Sequence, residues 1–282
     1  MNIIFFGSSG YVIPIIKILQ ENFDLKLVFT TEKNLTDAVP AYCIENKIPY
    51  LSVSSSKNLI NHSSLIINHS FLGVLADFGL IIPKEILNLF PKGIINIHPS
   101  LLPKYRGPTP VQTAILNGDK ITGVSIMKVD EKIDHGPILT QEKEQILETD
   151  TAESLYKRLF EKGANLLPEA LNKYIEGNLK PAPQNHEKAT FTKPLTRQDG
   201  FIDISKLETR NSKLELERMI RAYFPWPGVW GKFKVQSSKF KVLKFLLEQK
   251  LQVEGKKPMS YKDFLNGYPE AKELLRKISL LS

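Results

Sequence analysis

The first 180 residues alternate between short β-rich runs and segments with helical periodicity, which constrains the fold more than any other feature of the chain. Strand-like runs include IIFFG at 3–7, LKLVFTT at 25–31 and GIINIHP at 93–99, and helical spacing of apolar residues follows the first of them. Strands and helices that alternate at this spacing indicate βαβ units. The sequence therefore predicts an α/β fold with a doubly wound, mostly parallel sheet.

Three assignments inside this region are less regular. SSLIINHSFLGVLADFG at 63–79 is assigned to a strand that runs into a Gly-containing loop, and IIPKEILNLF at 81–90 to a helix. Residues 151–177 predict one long helix with Pro168 as its candidate interruption.

The second half of the chain divides at a Pro-rich polar stretch without hydrophobic period, GNLKPAPQNHEKATFTKPLTRQDG, which predicts a linker. We expect a catalytic domain at 1–180, the linker at 181–200 and a small β-rich domain at 201–282. KFKVLKFLL in the last part alternates Lys with apolar residues, as an antiparallel strand with one wet face does.

The net charge of +8 is confined to the last third of the chain. Residues 1–180 hold 18 Lys and Arg against 19 Asp and Glu, whereas residues 181–282 hold 20 against 11. Clustered basic residues gain by releasing counterions from phosphates, which favours a polyanionic partner, although a solvated basic face gives the same composition.

The composition, with 42% hydrophobic and 24% charged residues, is typical of a globular chain. No apolar stretch approaches the roughly 18 residues that a membrane span needs, and no membrane partner is expected. The single cysteine, Cys43, cannot form an internal disulfide and is predicted to be a packing residue. These features favour a cytoplasmic protein, which we expect to be a monomer.

The stretch INIHPSLLPKYRG carries the chemistry that the sequence makes most visible. Asn96 and His98 are two apart, so both side chains point to one face of a strand that Pro99 ends. Ligands of parallel sheets bind at the carboxyl ends of strands. An amide and an imidazole placed there can stabilise an oxygen that becomes negative during attack on a carbonyl. The alternative is a capping Asn and a His that satisfies a backbone carbonyl.

A nearby carboxylate would orient the imidazole, and the loop KVDEKIDHGPI at 128–138 supplies candidates. Asp130 and Asp134 both qualify as the partner of His98, and the sequence does not separate them. His135 is a competing imidazole.

Two other features favour no site. The turn Gly7-Ser8-Ser9-Gly10 lacks the spacing of phosphate-binding loops, and close strand-to-helix packing explains its glycines. His62, His69 and His186 lack paired ligand spacing, so no metal site is predicted.

The run NIHPSLLPKYRGPTPVQTAILNGDKITGVSIMKVDEKIDHGPIL resembles the core signature of the formyltransferases that use 10-formyltetrahydrofolate. Within that family the chain is most similar to the methionyl-tRNA formyltransferases, with support from IIFFGSSGYVIPII, RMIRAYFPWPGVW and EGKKPMSYKDFL. The resemblance implies a Rossmann-like catalytic domain, a reduced OB-like C-terminal domain, the formyl-folate as donor substrate, initiator Met-tRNA as acceptor bound through the basic C-terminal third, and no metal.

The resemblance also implies roles for single residues. Asn96, His98 and Asp134 would be the catalytic set, with Asn96 and protonated His98 on the oxyanion and Asp134 holding His98. The folate contacts that it implies are Ser100, Leu101, Leu102, Pro103, Phe78, Gly79, Leu80, Ile81 and Asp130.

Two departures from the family affect the acceptor. After LVFTT the usual long basic loop is replaced by EKNLTDAVPAY, and between FKVLKF and EGKKPMS the chain has only LLEQKLQV where the family has further strands. Two alternatives therefore stay open: a sugar-nucleotide N-formyltransferase with the same donor, and a non-catalytic RNA-binding protein, against which the intact Asn96, His98 and Asp134 argue.

Overall fold

The computed structural model describes residues 1–32, 34, 36–69, 71–204, 210–235 and 240–272. The chain forms two compact units. The first unit comprises 1–110, 121–145 and 156–193, and the second comprises 111–120, 146–155 and 194–282.

The first unit is built on a seven-stranded sheet in the order β3-β2-β1-β4-β5-β6-β7. Its strands are β1 (Asn2–Phe6), β2 (Asp24–Thr30), β3 (Tyr50–Ser52), β4 (Leu72–Leu75), β5 (Ile94–His98), β6 (Ile121–Lys128) and β7 (Ile138–Gln145). Strands β1 to β5 pair in parallel, while β6 and β7 pair antiparallel. The order of the parallel strands reverses between β1 and β4. The predicted doubly wound, mostly parallel sheet is confirmed.

Helices cover both faces of this sheet because apolar side chains project from both faces of its strands. Ile3 and Phe5 of β1 belong to one buried cluster, and Ile4 and Phe6 belong to the other. The helices of the first unit are α1 (Ile13–Asn22), α2 (Ala38–Glu45), α3 (Ser56–Ile60), α4 (Ser63–His69), α5 (Lys84–Leu87) and most of α7 (Ala152–Ile175). Helix α6 (Pro110–Asn117) belongs to the second unit from residue 111 onward. Cys43 of α2 is fully buried, and burial raises the pKa of its thiol to about 11. No described helix is long and apolar enough to cross a bilayer.

The structure corrects the less regular assignments. The predicted strand at 63–79 is wrong in its first half, because 63–69 form α4 and only 72–75 form a strand. In the apolar run Leu65-Ile66-Ile67, Ile66 is buried and its two neighbours are exposed, and a run of three residues is too short to distinguish a strand from a helix. The helix predicted at 81–90 is only the single turn α5. Pro168 lies inside the continuous α7 and does not interrupt it.

The second unit contains a four-stranded antiparallel sheet in the order β11-β10-β9-β8. Its elements are α8 (Arg210–Ala222), β8 (Val229–Lys234), β9 (Phe240–Leu246), β10 (Lys250–Val253), β11 (Met259–Ser260) and α9 (Tyr261–Gly267). Phe233 of β8 packs edge-on against Phe264 of α9, with ring centroids 5.4 Å apart. The alternation predicted for β9 holds over Leu243, Lys244 and Phe245, which are buried, exposed and buried. Lys241 departs from it, because it lies on the same face as Leu243 and its Nζ is 5.4 Å from the ring centroid of Tyr268.

The segment predicted to be a linker makes specific backbone contacts within the first unit. Ala182 exchanges two hydrogen bonds of 2.8 Å with Ile138 at the start of β7. Thr190 and Thr192 bond the backbone of Arg106. The first unit extends to residue 193. The domain boundaries proposed from the sequence remain a prediction.

Candidate active site

Asn96 and His98 end the buried strand β5. Both side chains point to one face of the strand, and the two residues are only 7% and 5% exposed. Strand β6 runs beside them, pairing Met127 with Asn96 and Ser125 with His98. A polar pair buried to this extent requires partners, because an unsatisfied buried polar group costs about 1–3 kcal/mol.

Asp134 supplies those partners from the loop between β6 and β7. Its Oδ1 accepts a hydrogen bond from Asn96 Nδ2 at 3.2 Å, and its Oδ2 accepts one from the backbone N–H of Gly107 at 2.7 Å. The same Oδ2 lies 3.6 Å from His98 Nδ1. The structure therefore brings the three predicted catalytic side chains together.

Asp134 adopts a left-handed backbone conformation with a φ of 47°. Such a conformation costs of order 1 kcal/mol in a residue other than glycine and persists only where the surroundings hold it. The contacts that hold this loop are consequently part of the site.

The tautomer of His98 follows from its second contact. His98 Nε2 lies 2.9 Å from the carbonyl oxygen of Tyr105, and a carbonyl can only accept a hydrogen bond. Nε2 therefore carries a hydrogen, and Nδ1 is the ring nitrogen that faces Asp134.

The structure also separates the two carboxylates that the sequence left open. Asp130 Oδ2 accepts a hydrogen bond of 2.7 Å from His135 Nδ1, and its Oδ1 caps the backbone N–H of Lys132. The ring of His135 stacks on His186 with centroids 4.0 Å apart. Asp130 and His135 thus form their own pair, and Asp134 is the residue beside His98. Among the described residues, no group of three or more His, Cys, Asp and Glu side chains is arranged to hold a metal ion.

Sequence reasoning missed Arg106 and Gln184. Arg106 is 3% exposed, and its Nε and Nη2 donate hydrogen bonds to Gln184 Oε1 at 3.2 and 2.6 Å. Burial lowers the pKa of this guanidinium, and the negative charges of Asp134 and Asp130 oppose that shift. The YRG that follows SLLPK marks Arg106 in the sequence, whereas no local signal marks Gln184, which lies in the predicted linker.

The predicted folate segment Ser100–Pro103 is fixed by strands β6 and β7. Ser125 Oγ donates to the carbonyl of Ser100 at 2.5 Å and accepts from the backbone N–H of Leu102 at 3.0 Å. The side chain of Gln141 donates to the carbonyl of Leu102 at 2.9 Å. Ser100 and Leu102 are buried, Leu101 packs on Gly123, and Pro103 is half-buried.

The other predicted folate segment, Phe78–Ile81, follows β4 and so lies at the neighbouring parallel strand end. Phe78 is buried, and its carbonyl accepts a hydrogen bond of 2.9 Å from Ser8 Oγ. Gly79 has open space beside its Cα, Leu80 is half-buried and the Ile81 side chain is 70% exposed. An exposed apolar residue beside open space suits a flat aromatic ligand.

Substituting Gly136, two residues after Asp134, is expected to destabilise the fold. A Cβ at this position would lie 2.0 Å from the backbone carbonyl oxygen of Lys128, so the chain must shift. We expect Gly136→Ala to lower the free energy of unfolding by about 3 kcal/mol, measured by denaturant titration. Gly267→Ala is the control, because nothing lies within 4 Å of its Cβ position. Equal stability of the two variants would contradict the geometry of this turn.

With this geometry in view, the comparisons with known proteins identify the class. The family model described as formyl transferase matches residues 14–171. A methionyl-tRNA formyltransferase of Roseiflexus castenholzii is 50% identical over 157 residues, which are 56% of this chain and 49% of that protein. One of Thermodesulfovibrio yellowstonii is 34% identical over 301 aligned positions, covering 94% of this chain and 95% of that protein. The chain belongs to the formyl transferase family.

The match spans about half the length of the first curated relatives, as for the Roseiflexus protein. Among solved structures, a sugar N-formyltransferase from a Shewanella species is similar with a TM-score of 0.64 and 24% identity, over 85% of this chain and 95% of that one. That likeness shows a shared fold.

Proposed function

We propose that this chain transfers the formyl group of 10-formyltetrahydrofolate to the α-amino group of initiator methionyl-tRNA. The observation that carries the proposal is the contact of Asp134 with Asn96 and its position 3.6 Å from His98, at the carboxyl end of β5 in a member of the formyl transferase family. The relatives named methionyl-tRNA formyltransferase support the acceptor. Because the tRNA acceptor is aminoacylated in the cytoplasm, the reaction is proposed to take place there.

In the proposed reaction, the amine attacks the formyl carbon and makes a tetrahedral intermediate with a negative oxygen. One N–H of the Asn96 amide is used on Asp134, which leaves the second for the oxyanion. Because Nε2–H of His98 is held by Tyr105, protonation of the ring adds an Nδ1–H, which supplies a second, charged donor.

Collapse of the intermediate breaks the bond between the formyl carbon and folate N10. The attacking amine loses a proton and N10 gains one, so the step is balanced. Asp134 holds the imidazolium by charge and passes the proton from the amine towards the leaving nitrogen, as a positioned carboxylate can. In this scheme Asn96, His98 and Asp134 are catalytic residues.

The donor is proposed to bind along the two strand ends already described. The pteridine would lie against the backbone near Phe78, Gly79, Leu80 and Ile81 and the loop with Asp130, and Ser100, Leu101, Leu102 and Pro103 would line the remainder. The open space beside Gly79 and the exposed Ile81 fit this placement. Within Ser100–Pro103, Ser100 and Leu102 are buried, so the half-buried Leu101 and Pro103 are the members whose side chains reach the surface.

The tRNA is proposed to contact the sheet of the second unit. Register places Trp230, Lys232, Lys234 and Lys244 on one face, because Lys244 pairs with Trp230. The three lysines are exposed, and no acidic residue shares this face within the described strands. A basic face with exposed aromatic Phe240 beside it suits a nucleic-acid backbone.

Binding of Met-tRNA is expected to weaken by roughly 10²-fold between about 50 and about 200 mM salt, as about four phosphate contacts require. Replacing Lys232, Lys234 and Lys244 together by Ala should lower the salt slope by about 3 in filter binding or fluorescence anisotropy. The matched control replaces Lys17, Lys57 and Lys173, which are also exposed but belong to the first unit. A salt-independent affinity, or equal slopes for both triple variants, would remove this face from the acceptor site.

The short loop after β2, where the family has a basic one, favours a second candidate, formylation of an amino-sugar nucleotide. The deciding experiment is a paired assay with 10-formyltetrahydrofolate and either charged initiator Met-tRNA or a 4-amino-sugar nucleotide as acceptor. Formyl-Met-tRNA as the main product is expected. Transfer to the sugar alone would retain the catalytic roles and replace the acceptor, and no transfer to either would favour the non-catalytic RNA-binding alternative.

A further inference from the structure

Residues 182–192, which we call the brace, connect two loops of the candidate active site. At one end Ala182 pairs with Ile138, directly after the loop that carries Asp134. At the other end Arg106 donates its backbone N–H to the carbonyl of Thr190 at 2.9 Å and accepts from Thr192 at 2.8 Å. Tyr105 donates its N–H to Thr190 Oγ1 at 2.8 Å. The brace therefore touches both chain segments that position the catalytic imidazole and carboxylate.

Gln184 makes the connection between these two loops with one side-chain amide. Its Nε2 donates to the carbonyl oxygens of Asp134 at 2.9 Å and Gly136 at 2.7 Å. Its Oε1 accepts from both Nε and Nη2 of Arg106. Gln184 is 6% exposed, and this arrangement uses both hydrogens and both lone pairs of the amide. Among the common side chains, only the amides of Asn and Gln combine two N–H donors with a carbonyl acceptor, and Gln is the longer of the two.

The partners of Gln184 are the residues whose placement decides the site. Asp134 has a φ of 47°, and Gln184 holds its carbonyl. Arg106 lies between Tyr105, whose carbonyl fixes His98, and Gly107, whose N–H holds the Asp134 carboxylate. We propose that Gln184 is a positioning residue that sets the distance between Asp134 and His98 without touching substrate. The inference rests on the proposed function for its catalytic consequence.

Arg106 has a further neighbour in the brace, His186, which supports its contact with Gln184. Its Nη2 lies 2.9 Å from His186 Nδ1, so His186 accepts as a neutral imidazole. Desolvation lowers the pKa of His186, and the positive charges of His135, Arg106 and Lys132 add to that effect. Because His186 is neutral, it places no second positive charge beside the Arg106 guanidinium that bonds Gln184.

Steady-state kinetics of Gln184→Leu is the first test. We expect kcat to fall roughly 10- to 100-fold, because misplacement of catalytic groups by about 1 Å has effects of this size, while KM for the formyl donor stays within about twofold. Gln184→Glu keeps the acceptor for Arg106 but places a carboxylate against two carbonyls, so it should lose kcat to a similar extent. Gln20→Leu is the control, since Gln20 makes one exposed contact of 3.4 Å with the carbonyl of Asn46. Wild-type kcat in Gln184→Glu would overturn the proposal.

A double-mutant cycle separates positioning from general damage to the fold. If Gln184 acts through Asp134, then Gln184→Leu should lower kcat by less than about twofold in an Asp134→Asn background. A full 10- to 100-fold further loss in that background would show that the two substitutions act independently and would overturn the proposal.

Hydrogen exchange tests the same contacts without any acceptor. In the full-length Gln184→Leu chain, we expect amide exchange in peptides covering 104–108 and 130–137 to quicken about tenfold or more, with peptides of β1 and β4 unchanged. Unchanged exchange in both active-site peptides would overturn the proposal. If the wild-type protein formylated neither acceptor while these peptides loosened as expected, the proposed function would fail and the positioning role of Gln184 would stand.

Discussion

Replacement of His98 by alanine is expected to lower kcat for formyl transfer by about 10² to 10⁴, with the affinity for the formyl donor within about twofold of wild type. The variant loses the Nδ1 proton that faces Asp134 and the reacting formyl oxygen in the proposed mechanism. It also leaves the Tyr105 carbonyl without its donor, since His98 Nε2 is the group 2.9 Å away. Single-turnover rates at saturating donor measure the chemical step.

The control for this variant is His62→Ala. His62 is half-buried beside Phe29, with ring centroids 6.3 Å apart, and has no part in the proposed site. The Tyr105 carbonyl left without a donor costs about 1–3 kcal/mol, so thermal unfolding must be measured to establish that His98→Ala still folds. A folded His98→Ala protein with a rate constant within twofold of wild type would exclude His98 from the chemistry.

Replacement of Asp134 by asparagine is expected to lower kcat by about 10²-fold or more. The carboxylate accepts from Asn96 Nδ2 through one oxygen and from the Gly107 N–H through the other. An amide has a single acceptor oxygen, so one of these donors would face an NH₂ group, and the negative charge 3.6 Å from His98 Nδ1 would be lost. The same single-turnover assay measures the loss.

Asp130→Asn provides the comparison that the sequence could not make. Asp130 bonds His135 and lies in the proposed donor site, so its substitution should raise KM for the donor while kcat changes by less than about threefold. Asp24→Asn, at the exposed start of β2, serves as the neutral control. A larger loss of kcat in Asp130→Asn than in Asp134→Asn would reverse the assignment of the two carboxylates.

Much of the fold could be predicted because its signals are local. Strand β1 and helix α1 follow periods of two and 3.6 residues that any window of ten residues displays. Strand β7 was not predicted from the sequence. This edge strand, ILTQEKEQ, is polar from Thr140 to Gln145 and therefore lacks an apolar period. Helix α4 was mistaken for a strand because a three-residue apolar run fits both periods.

The sequence by itself determined that Asn96 and His98 share one face of a strand end, because side chains alternate along any strand. It also determined that Leu243 and Phe245 of β9 share one face and that Lys244 lies on the other, because the same alternation applies there. Both conclusions depend only on residues close together in the chain.

The tertiary structure alone decided that Asp134 faces His98 and that Asp130 does not, and it alone showed Gln184 holding that choice in place. Asp130 and Asp134 lie in the same loop, four residues apart, so the surrounding sequence does not show which of them faces His98. Their difference arises from the left-handed turn at Asp134 and from an amide 50 residues further along the chain. Contacts between residues so far apart in sequence form only in the folded chain, and no local sequence pattern predicts them.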